Sequence, residues 1–180
     1  MVPDELDRQM PHDPLAERSV IGAMLLSEDA IAEVAEALAA EDFYSPRHAV
    51  IFRTVLGMYE RGEKPDLVTL AATLVDAGPD MVRQSGGAPY LHSLVADVPS
   101  AANIAHYARK VAERAVQRRL IEIGARIAQL GYQPLGVGRT VADLADLAQH
   151  AVAEIVPQRG EGDCSALGEL LQVTLDDIES

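Results

Sequence analysis

The chain has 180 residues, 48% of them apolar and 24% charged, with two Phe and no Trp. This composition excludes a disordered polymer and leaves a core built from Leu, Val, Ile and Ala, which favours closely packed helices over a sandwich, so an all-α fold is expected. A formal charge of −13 excludes non-specific nucleic-acid binding by the whole chain, because neutralising phosphates takes Lys and Arg in excess.

Residues 1–12 carry Pro3 and Pro11 with mixed charge and no periodicity, and read as a flexible arm. They are acidic and polar, unlike a secretory signal, and the longest apolar run, "VIGAMLL", is far short of the roughly 20 residues that cross a bilayer. Cys164 is the single cysteine and can form neither an internal disulfide nor a thiolate cluster, so a cytoplasmic protein is expected.

A globular helical bundle is predicted over 13–99. Asp13 as N-cap and Pro14 at the first helical position open a helix to about residue 26, and Ser27 with Glu28 and Asp29 opens a second. Ser45 and Pro46 open a third, with Ile51, Val55, Met58 and Tyr59 on one face and Gly62 as its stop. A fourth runs from Asp66 to Gly78; after a turn-rich stretch a fifth spans about 88–97 and is ended by Pro99.

Residues 100–156 read as a helical hairpin. Ser100 caps a helix of about 45 Å, too long for the bundle, whose far half sets Val116, Leu120, Ile123, Ile127 and Leu130 at alternating spacings of four and three. "YQPLGVGR" turns the chain, placing the tip near Pro134 to Arg139, and "TVADLADLAQHAVAEIV" returns. In the return helix Asp143, Asp146, Gln149, His150 and Glu154 make one narrow polar stripe and the rest is apolar. One partner helix cannot cover so much apolar circumference, so further helices from other copies of the chain are expected.

Pro157 ends the arm, 157–164 form a polar linker, and 165–180 close as an amphipathic helix with Leu167, Leu170, Leu171, Val173, Leu175 and Ile178 on one side. That helix either docks back on its own bundle or docks elsewhere; the preceding linker and its acidic outer face favour the second.

The charge is sorted along the chain. Residues 103–131 carry Arg109, Lys110, Arg114, Arg118, Arg119 and Arg126 against Glu113 and Glu122, a balance of +4 against −17 elsewhere. The segment is either the solvated face of a long helix or a contact with an acidic partner or nucleic acid. In the second case the chain is a helical DNA-binding module using the basic 103–131 helix. "DLVTLAATLVDAGPDMV" imitates a helix-turn-helix, yet Leu67 to Val82 holds no Lys or Arg with which to grip phosphates.

Catalytic signals are missing. There is no G-x-x-x-x-G-K-[ST] loop, and the two lysines, Lys64 and Lys110, do not follow glycine. His12, His48, His92, His106 and His150 show neither H-E-x-x-H nor any i, i+4 pairing, and no G-x-S-x-G elbow occurs. The sequence thus offers no catalytic residue, no cofactor site and no metal site.

Four stretches in order carry a resemblance: "HDPLAERSVIGAMLLSEDAI", "DFYSPRHAVIFRTVLGMYERGEKPDLVTLAATL", "GGAPYLHSLVADVPSAANIAHYARKVAERAVQRRLI" and the hairpin after them. Together, over about residues 11–156, they resemble the N-terminal domain of the bacterial replicative DNA helicases, the DnaB-type hexamers. The resemblance implies a non-catalytic collar, with an ATP- and Mg-dependent RecA-like motor that unwinds DNA 5′ to 3′ following it in the parent protein. It implies DNA replication at the nucleoid as the setting, with DNA engaged through the full-length ring and weakly or not at all by this piece. Dimers formed through hairpins build a ring of three dimers in that family, which points here to Leu120, Ile123, Ile127, Leu130, Val141, Leu144, Leu147, Ala148, Val152 and Ile155 as the dimer interface. Primase docks on such collars, and Tyr90 and Leu135 are the candidates for it. The connector helix of the family packs on a neighbouring subunit's motor, the role implied for Leu167, Leu170, Leu171, Val173, Leu175 and Ile178.

Overall fold

Proline and small polar residues open the helices. The computed structural model describes residues 9–96, 103–132 and 140–155, and all regular structure among them is helical. Asp13 accepts a hydrogen bond from the Ala16 N–H at 3.0 Å, ahead of Pro14, to start α1 (Pro14–Met24). Ser27 accepts from Ala30 at 3.4 Å to start α2 (Glu28–Ala37), and a 3-10 turn follows at Ala40–Asp42. Pro46 opens α3 (Pro46–Glu60), and Asp66 accepts from the N–H groups of Val68 and Thr69, each at 2.9 Å, to open α4 (Leu67–Asp76). Gly62 ends α3 at φ +73°: its N–H reaches the Tyr59 carbonyl and that of Glu63 reaches Met58, closing the last turn.

Two local expectations change. The stretch after Gly78 is a helix, α5 (Pro79–Ser85), with Pro79 at its first position and Gly86 at φ +85° as its stop. Seven residues between two turn-forming glycines are too few to show a periodic signal, although the proline start is there. Tyr59 is 37% exposed, whereas Ile51, Val55 and Met58 are buried; next to Met58 it is turned about 100° away from their face. α6 (Gly87–Ala96), α7 (Ile104–Tyr132) and α8 (Val141–Ala153) complete the order.

α1 is the central helix. Ala16, Glu17, Ser19, Val20, Ile21, Gly22, Ala23 and Met24 are all buried, because α2, α3, α6 and α7 enclose it. The core continues through Ile31 and Val34 of α2, Ile51 and Phe52 of α3, Leu70 and Leu74 of α4, Leu91 and Leu94 of α6, and Ile104, Ala108 and Val111 of α7. α7 therefore spends its first half as a wall of the body and its second half outside it.

A carboxylate at 3% exposure needs an explanation inside this core, and Glu17 has one. Its two oxygens accept the Tyr44 N–H at 2.7 Å and the Ser45 N–H at 3.2 Å, and His48 Nδ1 lies 2.6 Å from Oε2. The other imidazole nitrogen is 2.6 Å from the Tyr90 hydroxyl, so one polar chain joins α1, α3 and α6. Ser45 occupies the expected cap position without a side-chain cap bond, its N–H serving Glu17 instead.

Burial pushes the Glu17 carboxyl up, but the hydrogen bond from His48, the two backbone donors and the electrostatic pull of His48 together hold it below its ordinary 4.5. A lowered folded-state value means that Glu17 stabilises the fold fully above that ordinary value, and that this contribution is lost as pH falls through the lower one. The urea midpoint of the chain should drop on acidification below about pH 4.5 more steeply than that of Glu17→Gln. Parallel pH profiles of the two proteins would contradict the assignment.

Candidate interface on the helical hairpin

Thr140 starts the return helix by a reciprocal cap: its Oγ1 accepts the Asp143 N–H at 3.3 Å while Asp143 Oδ2 accepts the Thr140 N–H at 2.7 Å. Among the described residues α8 packs mainly on α7, and Ala151 is its one buried residue. Projected at about 100° per residue, Leu144, Ala148, Ala151 and Ile155 make the stripe that meets α7, each half-buried or buried. On α7 the matching stripe is Ile123, which is buried, with Ile127 and Leu130, which are half-buried.

Beside that seam a second stripe is bare. Val141, Ala145 and Val152 are exposed on α8, and Leu120 and Gly124 are exposed on α7. Both helices are right-handed and run antiparallel, so the two outer stripes fall on the same side of the hairpin. A Cβ built on Gly124 meets nothing within 4 Å, so this face also permits close backbone approach. The opposite side is charged: Arg119, Glu122 and Arg126 of α7 stand near His150 and Glu154 of α8, and Arg126 bonds Glu154 at 2.6 Å. The hairpin is thus two-sided, apolar on one flank and ionic on the other.

The ten residues assigned to an interface from sequence divide on this geometry. Ile123, Ile127, Leu130, Leu144, Ala148 and Ile155 lie along the seam within one chain. Leu120, Val141 and Val152 stand on the bare apolar flank, 56%, 70% and 52% exposed. Leu147 is at the charged edge, in a cleft with Arg126, Leu130, His150, Ala151 and Glu154. Tyr90 is half-buried, its hydroxyl held by His48 and its ring flanked by the guanidinium groups of Arg47 at 4.3 Å and Arg18 at 5.5 Å. Leu135, the stretch expected to form the hairpin tip, and Leu167, Leu170, Leu171, Val173, Leu175 and Ile178 of the expected linker helix lie outside the described residues.

The basic segment is neither a bare cationic face nor a uniformly solvated one. Arg118 is 8% exposed and donates to two backbone carbonyls, and Arg119 pairs with the buried Asp42 carboxylate. Arg109 meets Glu113, Arg114 meets Gln117 and Arg126 meets Glu154. The DNA-binding alternative thus loses Arg118 and Arg119, which are taken up inside the chain. Sequence reasoning also passed over Glu17 and His48; the available signal was His48 on the Ile51, Phe52, Val55 face of its helix, a polar residue on an apolar stripe.

Among the described residues no helix is long and apolar enough to cross a membrane, and no group of three or more His, Cys, Asp or Glu could hold a metal ion. Residues 9–113 match the family model described as the DnaB-like helicase N terminal domain. The replicative DNA helicase DnaB of Mycobacterium leprae is 45% identical over 177 residues, a match covering 98% of this chain and 29% of that relative. The chain therefore spans under a third of the length of that curated relative. Among solved structures, the N-terminal domain of the DnaB helicase from Mycobacterium tuberculosis is similar at 46% identity and a TM-score of 0.73, covering 81% of this chain and 99% of that one. A DnaB-like replicative helicase, described with its interactions with primase, shares the fold at 23% identity and a TM-score of 0.64, covering 88% of this chain and 34% of that one.

Proposed function

This chain belongs to the DnaB-like helicase N-terminal domain family, and we propose that it is the non-catalytic collar of a replicative helicase, joining copies of itself through the hairpin and docking primase. The observation that carries this reading is the bare flank of Leu120, Val141 and Val152, three branched apolar side chains uncovered beside a seam that is itself only partly closed. A two-helix arm is too thin to bury both sides of α8, and a second hairpin laid against that flank removes the exposure. In the whole protein the collar holds motor domains in a ring, and ATP, Mg and DNA are handled by those motors.

Sedimentation of the 180-residue chain across a concentration series tests the self-association: a dimer or larger species is expected in the micromolar range. A single chain persisting at high micromolar concentration would overturn it.

For primase, the structural relative described with that partner supports a collar surface, and Tyr90 is the candidate contact. Its ring is pinned by His48 and stacked by Arg47, a rigid aromatic anchor of the kind that dominates interfaces. Tyr90→Ala should weaken primase binding by about tenfold in a calorimetric titration, since loss of one anchor costs on the order of 1 to 2 kcal/mol. Unchanged affinity would move the contact elsewhere.

A further inference from the structure

Where α7 leaves the body, one side chain reaches two distant segments. Arg118 Nη1 donates to the Pro11 carbonyl at 2.8 Å, Nη2 donates to the Asp42 carbonyl at 2.5 Å, and the guanidinium lies 5.7 Å from the centre of the Tyr44 ring. His12 stacks on that same ring, with centroids 4.3 Å apart and 21° between planes, and its Nδ1 is 2.8 Å from the Met10 carbonyl. Arg119 pairs with the Asp42 carboxylate, whose second oxygen accepts the Ala39 N–H at 2.8 Å. The end of the stretch expected to be an arm is therefore bound: residues 10–12 cross the 3-10 turn and are tied to the middle of the long helix.

We propose that this node is the anchor that fixes the bearing of the hairpin on the body, with residues 10–12 as a strap that closes it. Three points lead there. The node's place is singular: Ala115 is the last small buried residue of α7 before it, and the next buried residue, Ile123, already belongs to the hairpin seam. The chemistry is that of a clamp, because a planar guanidinium holding two carbonyls fixes direction as well as distance, whereas a space-filling role needs no charge in a site 8% exposed. The lever is long: α7 runs about 20 Å beyond Arg118, so a tilt of roughly 10° at the anchor carries its far end by about 4 Å. The inference concerns geometry within one chain and stands whether or not the bare flank meets a second copy.

The test is a distance measurement by pulsed electron spin resonance between labels at Glu33→Cys on α2 and Gln129→Cys on α7, both exposed positions, with Cys164→Ser. Labelled chain is diluted into excess unlabelled chain so that only intrachain distances are read. A single narrow distance is expected for the parent, and a distribution broadened or shifted by about 4 Å both for Arg118→Met and for deletion of residues 1–11, at unchanged helix content. Arg118→Lys, which supplies a cation without the fork, should fall between. If Arg118→Met does not fold, the deletion decides, since it leaves the side chains of His12, Asp42, Tyr44, Arg118 and Arg119 in place but removes the Pro11 and Met10 carbonyls. The same narrow distance in the deletion and in a folded Arg118→Met would overturn the proposal, even if both lowered the melting temperature.

Discussion

Leu120→Asp combined with Val152→Asp is expected to turn the chain into a monomer while leaving its helix content and melting profile almost unchanged. Both side chains are more than half exposed in the single chain, so an aspartate at either site stays hydrated and costs the isolated fold little. In an association through the bare flank the same carboxylates would be buried against apolar groups without partners. Even a few kcal/mol of such a penalty, about 3, weakens association by a factor of roughly 100. Sedimentation at the concentration where the parent associates reads the result directly, and an unaltered mass would exclude this flank as the contact. Leu144→Asp is the instructive contrast. Periodicity alone makes Leu144 and Val152 equivalent members of one apolar surface, but Leu144 is half-buried in the seam with α7. Charge there attacks the hairpin itself, and loss of association would then accompany loss of helix.

Glu17→Ala should damage the body as much as truncating a large core side chain, at about 4 kcal/mol. It strips His48 of its buried partner and leaves the N–H groups of Tyr44 and Ser45 without the acceptor that turns the chain into α3. For a domain of this size that corresponds to a fall in Tm of roughly 8 to 16 °C. Glu17→Gln keeps the shape and one carbonyl acceptor and should lose about half as much. Thermal unfolding followed by circular dichroism checks both, and a drop of less than about 2 °C for the alanine variant would mean that the polar chain contributes little to the core. The two substitutions in this paragraph act on stability and the Leu120→Asp, Val152→Asp pair on association, so the readouts separate the two effects.

Much of the architecture was legible because helix ends are local chemistry. Asp13-Pro14, Ser27, Ser45-Pro46 and Asp66 announce their helices within four residues, and Gly62 ends one by supplying a positive φ. The bare flank of α8 was legible in kind, since a helix with a single narrow polar stripe has more apolar surface than one neighbour covers. What periodicity lacked was the identity of the neighbour on each side. α1 is as apolar as α8 over much of its length, yet four helices enclose it and leave only Pro14 and Leu15 exposed, while among the described residues α8 packs mainly on α7.

By itself the sequence determined the helical class, the starts and stops of most helices, the hairpin, and the surplus of apolar surface on its return helix, because each depends on residues within a few turns of one another. Only the tertiary structure decided which flank of the hairpin stays bare, that Arg118 and Arg119 are structural cations, and that Glu17 and His48 share a buried bond. Those outcomes rest on contacts between residues 28 to 107 positions apart. Side chains that far apart meet only when the packing of α1, α3 and α7 brings them together, and no local pattern of spacing records that meeting.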